Sequence, residues 1–429
     1  MLPVTRHDEH LYSVPKFDLC KGDINSFMNE LSCFHEQFAD CFQRSESRDH
    51  FFKYMAGQFS PIERKSIEPI ALAVVDGNVR AMQRFVSDAP WNDENMISKY
   101  RNLVNDDLGS PDGALIFDES GFIKKGQDSI GVARQYCGTV GKVDNCQVGV
   151  FASYVSEQGY SLVDKRLFIP KKWFTDAYSE RRRKCKLPDD TVFRTKPKLA
   201  VDMLGAIVEQ ATLPFKYVIA DSLYGASPEF INAVEALPAK TYFVQIPKDT
   251  LCWLKRPMAI TKQYLWGGKT RTKTVLVDPD SKPISVEELA ENINDYFWYR
   301  RKVSEGTKGP IVYEYTRRQI ILSAAGLPQK TVWLLIRRTL DDEPKYSFFI
   351  SNASTSTRLK TLVWLSGLRW AIEQCFEETK SELGMDHYEV RKFPGWHHHM
   401  LTCMLAHFFL WHLKIRLGKK STVYYAIAA

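Results

Sequence analysis

The sequence predicts an α/β protein: a helical N-terminal segment, a sheet-bearing core, and a β-rich stretch that interrupts the core before its last helices. Three observations predict it. Apolar residues recur at helical spacing through residues 1–108. Two short apolar runs, "ALIFD" (114–118) and "KYVIAD" (216–221), each close on an aspartate. Residues 248–345 are dense in β-branched and aromatic runs, and a helical pattern bearing an acid follows them.

Taken in order, "DINSFMNELSCFHEQFADCF" is the first helix. "SPIERKSIEPIALAVV" is the second, with Ser60 as its N-cap and Pro61 at its first position. "NVRAMQRFVSD" and "NDENMISKYRNLV" supply two more. Arg64, Lys65, Arg80, Arg84, Lys99 and Arg101 are spread among these helices, which fits either docking on DNA or packing on a neighbour. The turn cluster "GSPDG" (109–113) ends this segment. Three sequential strands follow: 114–118, 145–155 and 160–170, the last two as a hairpin. A helix near 197–211, the strand 216–221, a helix opened by Ser227 and Pro228, and the strand 241–247 complete the series. Strand, strand, strand, helix, strand, helix, strand is the order of an RNase H-like core, which then lacks only a final helix with an acid. That helix arrives after 248–345. The expected organisation is a DNA-binding helical domain at 1–108, a first core part at 109–247, a β-rich insertion domain at 248–345, a second core part at 346–412, and a tail at 413–429.

Composition limits the function classes. The chain has 429 residues, enough for two or three domains. It is 44% hydrophobic and 25% charged, with a net charge of +7, a mild basic excess compatible with nucleic acid. Its nine cysteines form no CxxC pair and their number is odd. That argues against a disulfide framework or structural zinc and for a reducing compartment. The N-terminus has no apolar signal core, and the greasiest run, 401–413, is too short to span a bilayer and reads as a buried helix. The expected location is cytoplasmic, with no membrane partner.

Asp118, Asp221 and Glu373 stand at element ends in that order. An aspartate closing a buried strand points into the crevice at the carboxyl edge of a sheet; the alternative reading is a turn cap. Three carboxylates gathered there repel one another and suit hard cations, Mg²⁺ or Mn²⁺. Two such ions about 3.5–4 Å apart activate a nucleophile and stabilise a leaving oxygen in phosphodiester displacement. In "GLRWAIEQCFEETKSELG" (367–384), read as one helix, Glu373 lies about 40° and Lys380 about 20° from Arg369 on the helical wheel. This stripe is either a solvated ion-pair face or an acid flanked by two phosphate-gripping bases. Leu368, Ile372, Cys375, Thr379 and Leu383 form the opposite, packing side. Glu119, Glu377 and Glu378 are alternative acids. Lys124, Lys125, Arg134 and Lys142 follow the first acid and border the crevice. The basic run "ERRRKCK" (180–186) reads as a backbone stripe or a solvated helix face. The triplet "HHH" (397–399) is a poor metal site, since consecutive helical residues diverge by about 100°.

At these residues the sequence resembles the DDE transposases of bacterial insertion sequences, in the branch with the signature Tyr-x2-Arg-x3-Glu-x6-Lys. "RWAIEQCFEETK" carries Arg369, Glu373 and Lys380 at that spacing, while Ser366 stands where the signature has Tyr. "LIFDESGFIKKGQDSIGVARQYCGTVGKVDNCQVGV" and "VIADSLYG" are similar to the family's segments around its first two acids. The resemblance runs from about residue 55 to about 412 and implies an RNase H-like core, a β-rich insertion and Mg²⁺-dependent cleavage and joining of DNA ends. It implies Asp118, Asp221 and Glu373 as catalytic, metal-holding acids, and Arg369 and Lys380 as phosphate contacts. Relatives use an aromatic of the insertion to hold a flipped base. Trp298, beside Arg300 and Arg301, is the candidate, with a core tryptophan in a strand as the other reading. Expected partners are double-stranded DNA with terminal inverted repeats, target DNA, and a second copy forming a homodimer on DNA. The rival functions are a structure-selective nuclease of the same fold and a non-catalytic, transposase-derived DNA-binding regulator.

Overall fold

The computed structural model describes residues 21–267, 269–306 and 309–416; the expected tail at 413–429 thus lies mostly outside the described residues. The chain is mixed α/β and divides into two compact units, one built from residues up to 215 together with 370 onward, the other from 216–369.

The first unit opens with α1 (Lys21–Glu36), α2 (Ser45–Gln58), α3 (Ile67–Ala73), α4 (Val79–Asp88) and α5 (Asp93–Leu108). Side chains of Asn78 and Asn92 cap α4 and α5 by accepting from Ala81 N and Asn95 N. The helix expected to begin at Ser60 begins instead at Ile67. Tertiary ties hold the intervening chain: Arg64 pairs with Glu389, and the Lys65 ammonium donates to the carbonyls of Gln58 (2.8 Å) and Glu382. A local cap signal is outweighed by these bonds.

Four antiparallel strands follow: β1 (Ala114–Ile123), β2 (Ala133–Cys137), β3 (Lys142–Val155) and β4 (Tyr160–Phe168). β3 is central, pairing with β1, β2 and β4. Two corrections arise here. β1 does not stop at Asp118 but runs on to Ile123, because β3 is long enough to pair with all of it, Ala114 opposite Val155 through Ile123 opposite Cys146. β2 has no expected counterpart; its five residues pair with the first part of β3. After the short α6 (Ser179–Lys184), α7 (Lys196–Gln210) starts where Thr195 caps it, and packs on β3 and β4.

This unit closes with α12 (Trp370–Ser381) and α13 (Phe393–Arg416). α12 packs on β1, β3 and β4, while α13 packs on β4 and on α2, α4, α5 and α12. Being enclosed on so many sides requires α13 to be apolar nearly all round, and Leu401, Cys403, Met404, Leu405, Phe408 and Phe409 are fully buried, as the run 401–413 predicts. No helix among the described residues is long and apolar enough to cross a membrane.

The second unit begins with β5 (Tyr217–Ala220), α8 (Ser222–Gly225), α9 (Pro228–Glu235) and β6 (Thr241–Ile246). β5 and β6 are parallel, as a crossover through α9 allows, and Ser227 caps α9 with Pro228 in its first turn. Next come β7 (Leu251–Trp253), β8 (Ala259–Trp266), β9 (Lys269–Leu276), β10 (Ile284–Ser285), α10 (Val286–Glu291), β11 (Tyr299–Gly306), β12 (Gly309–Ala324), β13 (Leu327–Arg338), β14 (Tyr346–Ser351) and α11 (Leu359–Leu368). The sheet of this unit runs β10-β7-β12-β13-β14-β6-β5, with β11 also on β12; β8 and β9 form a separate two-stranded ribbon.

Candidate active site

Within the first unit, strand alternation separates two neighbouring acids. Asp118 pairs directly with Phe151, so their side chains share a face. On that face Phe151 meets Phe122 (ring centroids 6.4 Å), Phe376 of α12 (5.3 Å) and Trp396 of α13 (6.3 Å). Asp118 therefore points to the side covered by α12, and its Oδ1 accepts from Glu119 N at 2.8 Å. Glu119 points the other way, where Lys196 of α7 binds it at 2.8 Å. Both acids are half-buried.

Glu373 lies on α12 one turn before Phe376 and is exposed. The two other acids of the helix have the following partners. Glu378 accepts from Tyr160 Oη at 2.7 Å and meets His407 Nε2 at 2.7 Å; Glu377 accepts from Gln374 Nε2 at 2.6 Å. Ala371, Ile372, Cys375, Phe376 and Thr379 bury the opposite side, as the amphipathic pattern requires.

The stripe is not one continuous helix. α11 ends at Leu368 and α12 begins at Trp370; Arg369 is the turn residue between them, half-buried, with φ −55° and ψ −30°. Glu373 and Lys380 remain about 20° apart on α12. Lys380 reaches back over the sheet: its Nζ donates to Thr139 Oγ1 at 3.1 Å, lies 3.4 Å from Gly121 O, and stands 5.3 Å above the Phe122 ring. Burial pushes its ammonium below the ordinary lysine range, with Asp386 opposing the shift. Ser366, at the signature's Tyr position, is buried with its Oγ donating to Val363 O at 2.7 Å; the Tyr315 hydroxyl lies 3.5 Å away.

Asp221 belongs to the second unit. It stands immediately after β5, and its Oδ1 accepts from Leu223 N at 2.9 Å, capping α8. The turn-cap reading is thus realised, on a half-buried carboxylate at a strand's carboxyl end. Asp118 and Glu373 come from the first unit and Asp221 from the other. Among the described residues no group of three or more His, Cys, Asp or Glu side chains stands assembled to hold a metal ion. The donor chemistry nevertheless fits a hard divalent cation, being all carboxylate oxygen.

The basic residues divide by exposure. Lys125, Arg134 and Lys142 are exposed, Lys142 lying 3.9 Å from Asp144. Lys124 is turned inward: its Nζ donates to Tyr388 O at 2.9 Å and sits 3.3 Å from the Tyr388 ring centroid, and burial brings it down to about 8. Lys99 pairs with Asp40 at 3.0 Å, and Arg101 is buried against Asp164 at 2.6 Å. Arg80 and Arg84 are exposed on α4. In the basic run at 180–186, Arg182 donates to Thr175 O at 2.8 Å and Lys186 meets Asp88 at 2.6 Å. Trp298 is only 8% exposed, with the Arg338 guanidinium 4.2 Å from its ring centroid. This is the core reading, with Arg338 over one face of the ring. Arg300 pairs with Glu314 at 3.0 Å, and Arg301 lines a cleft of about 370 Å³ with Phe297, Tyr299, Arg317 and Arg318.

The three histidines at 397–399 point apart, as expected. His397 Nδ1 meets Lys165 Nζ at 3.1 Å, His398 Nδ1 meets Val86 O at 2.8 Å, and His399 Nδ1 meets Tyr54 Oη at 2.8 Å. His398 and His399 are buried and His397 is half-buried.

Comparison with known proteins adds to this geometry. Residues 37–310 match the family model described as DDE superfamily endonuclease, a span that contains both aspartates and ends before Glu373. The chain is also 26% identical over 345 residues to the "Probable transposase for insertion sequence element IS701" of Microchaete diplosiphon, covering 80% of this chain and 77% of that protein. The match to the family model extends over more than half of the sequence, and the chain belongs to the DDE superfamily endonucleases.

Proposed function

We propose that the protein is a transposase that cuts the ends of an insertion sequence and joins them to target DNA. One observation carries this reading furthest: in a chain of this family, Asp118 is mid-strand on the face covered by α12, the helix that bears Glu373, while its neighbour Glu119 lies on the other face, beside Lys196. Asp221, at the carboxyl end of β5, is the third acid. The similarity to an insertion-sequence transposase supports the substrate.

In this reading Asp118, Asp221 and Glu373 would hold two Mg²⁺ ions, which Mn²⁺ could replace. When bound, the ions supply Lewis-acid activation and charge neutralisation at the scissile phosphate. The protein's own residues position the DNA. Lys380, anchored beside Gly121 and Thr139, places a cation next to the strand of Asp118. Arg369, at the break between two helices, is the second phosphate contact, and Lys125, Arg134, Lys142, Arg300 and Arg301 are further backbone contacts. Lys124, tied to Tyr388 much as Lys380 is to Thr139, is a further backbone contact; Trp298 is left out of this set because it is buried. Hydrolysis frees a 3′-OH, and transfer of that hydroxyl to target DNA completes the joining. Terminal inverted repeats would be read by exposed residues of the N-terminal helices, Arg80 and Arg84 foremost, and synapsis of two ends calls for a homodimer on DNA.

The test is cleavage of end-bearing duplex with Mg²⁺. Wild type should nick at the end, and Asp221→Ala should be at least about 10³-fold slower, the scale of losing a group that acts only in the transition state. Equal rates would defeat the assignment.

A further inference from the structure

The ribbon β8–β9 stands outside the main sheet of its unit, and its residues from Ala259 to Thr274 are exposed wherever described. Cross-strand register sorts its side chains into two unlike faces. Lys262 is opposite Lys273, Tyr264 opposite Arg271, and Trp266 opposite Lys269. Paired residues share a face and the period along a strand is two, so all four cations and both aromatics lie on one side. The other side holds Thr261 opposite Thr274, Gln263 opposite Thr272, and Leu265 opposite Thr270, with no charge at all. From 250 to 277 the chain contains no Asp or Glu.

Two features of the charged face ask for a polyanion. Lys262 and Lys273 are directly opposed like charges, an arrangement that destabilises a free hairpin. Trp266, 66% exposed, and Tyr264, 42% exposed, border with Arg271 and Lys273 a shallow hollow of about 470 Å³. A two-stranded ribbon is narrow enough to enter the DNA major groove, which is about 12 Å wide. A strand of about eight residues spans about 26 Å, or roughly eight base pairs at about 3.4 Å each.

We propose that the β8–β9 ribbon lies in a groove of double-stranded DNA, with Lys262, Lys269, Arg271 and Lys273 on phosphates and Tyr264 and Trp266 against the groove wall. The proposal rests on the reading of the chain as a DNA-end-processing enzyme and adds a binding element remote in sequence from the three acids.

The experiment measures affinity of the full-length chain for end-bearing duplex by fluorescence anisotropy, in EDTA so that nothing is cut, across a salt series. Lys269→Gln/Arg271→Gln/Lys273→Gln should weaken binding at least about 10-fold at about 100 mM salt and lower the slope of log K against log salt by about 2–3, since each phosphate left without its cation removes about 0.9. Thr270→Gln/Thr272→Gln/Thr274→Gln, on the uncharged face, should leave both unchanged. If the triple charge variant melts early, the single Lys262→Gln decides, with an expected slope change of about 1. Unchanged slopes in the charge variants would overturn the proposal, as would a loss confined to single-stranded oligonucleotide or equal losses from both faces. Those outcomes, with wild type still cutting end-bearing duplex, remove the ribbon and leave the transposase reading intact; a wild type that neither binds nor cuts such duplex removes both.

Discussion

At Asp221 one carboxylate oxygen holds the Leu223 N–H while the residue also serves as a proposed ligand, so structure and chemistry meet in a single side chain. The two can be separated by substitution. Asparagine caps a helix about as well as aspartate but is a weak ligand for a hard cation; alanine does neither. Asp221→Asn should keep its denaturation midpoint and lose cleavage. Asp221→Ala should lose cleavage and about 1 kcal/mol of stability. Chemical denaturation of the two variants checks this, and a midpoint for Asn as low as that for Ala would contradict the capping argument. The same scale shows how partners decide roles. Glu119 faces Lys196 on the side of β1 away from α12, Asp118 faces α12, and Glu378 meets Tyr160 and His407.

Among the elements, α13 is the one whose sequence departs most from an ordinary surface helix. It carries His397, His398 and His399 into the interior, where burial lowers the basicity of all three, His399 to about 3. Each is neutral in the folded protein and takes up a proton on unfolding below its ordinary value of about 6.5. Their contribution to stability is therefore complete above about pH 6.5 and is lost as pH falls, that of His399 down to about 3. Removing one of them should remove one proton from the difference. The unfolding free energy of His399→Gln should fall less steeply than that of wild type between about pH 6 and pH 4, by about 1.4 kcal/mol per pH unit. Urea titrations at several pH values measure it, and parallel slopes would show that His399 is already charged in the native state. At this scale too, α12 shows why a helix pattern can be read correctly and bounded wrongly. The apolar face from Ile372 to Thr379 is where the spacing puts it, but the preceding turn breaks at Arg369.

For the whole molecule, the proposed centre comprises Asp118, Asp221 and Glu373. A divalent ion held by these carboxylates should stabilise the native chain by mass action, about 2.7 kcal/mol at a hundred times Kd. Mn²⁺ should raise the Tm of wild type, and Asp118→Asn and Asp221→Asn should each abolish that rise. A rise that survives in either variant would place the ion elsewhere. The net charge of +7 favours association with DNA generally, but a count cannot say where the DNA lies. Placement depends on how the cations are grouped: Lys99 and Arg101 are each paired with an acid, whereas the ribbon's four cations share one acid-free face.

The sequence by itself determined the mixed α/β class, the family, the cap at Ser227 and the burial of the 401–413 helix. Apart from the family, each of these rests on a short window, since period, caps and apolar content are local properties. Only the tertiary structure decided that β1 runs past Asp118, that Ser60 opens no helix, that the acid-bearing helix breaks at Arg369, that Lys124 is tied to Tyr388 and that Trp298 is inside. Most of these depend on a partner distant in sequence: the full length of β3, the bond from Arg64 to Glu389, Tyr388 beneath Lys124, and Arg338 over Trp298. A side chain's type limits what it can do, and the neighbour that folding delivers decides which of those things it does.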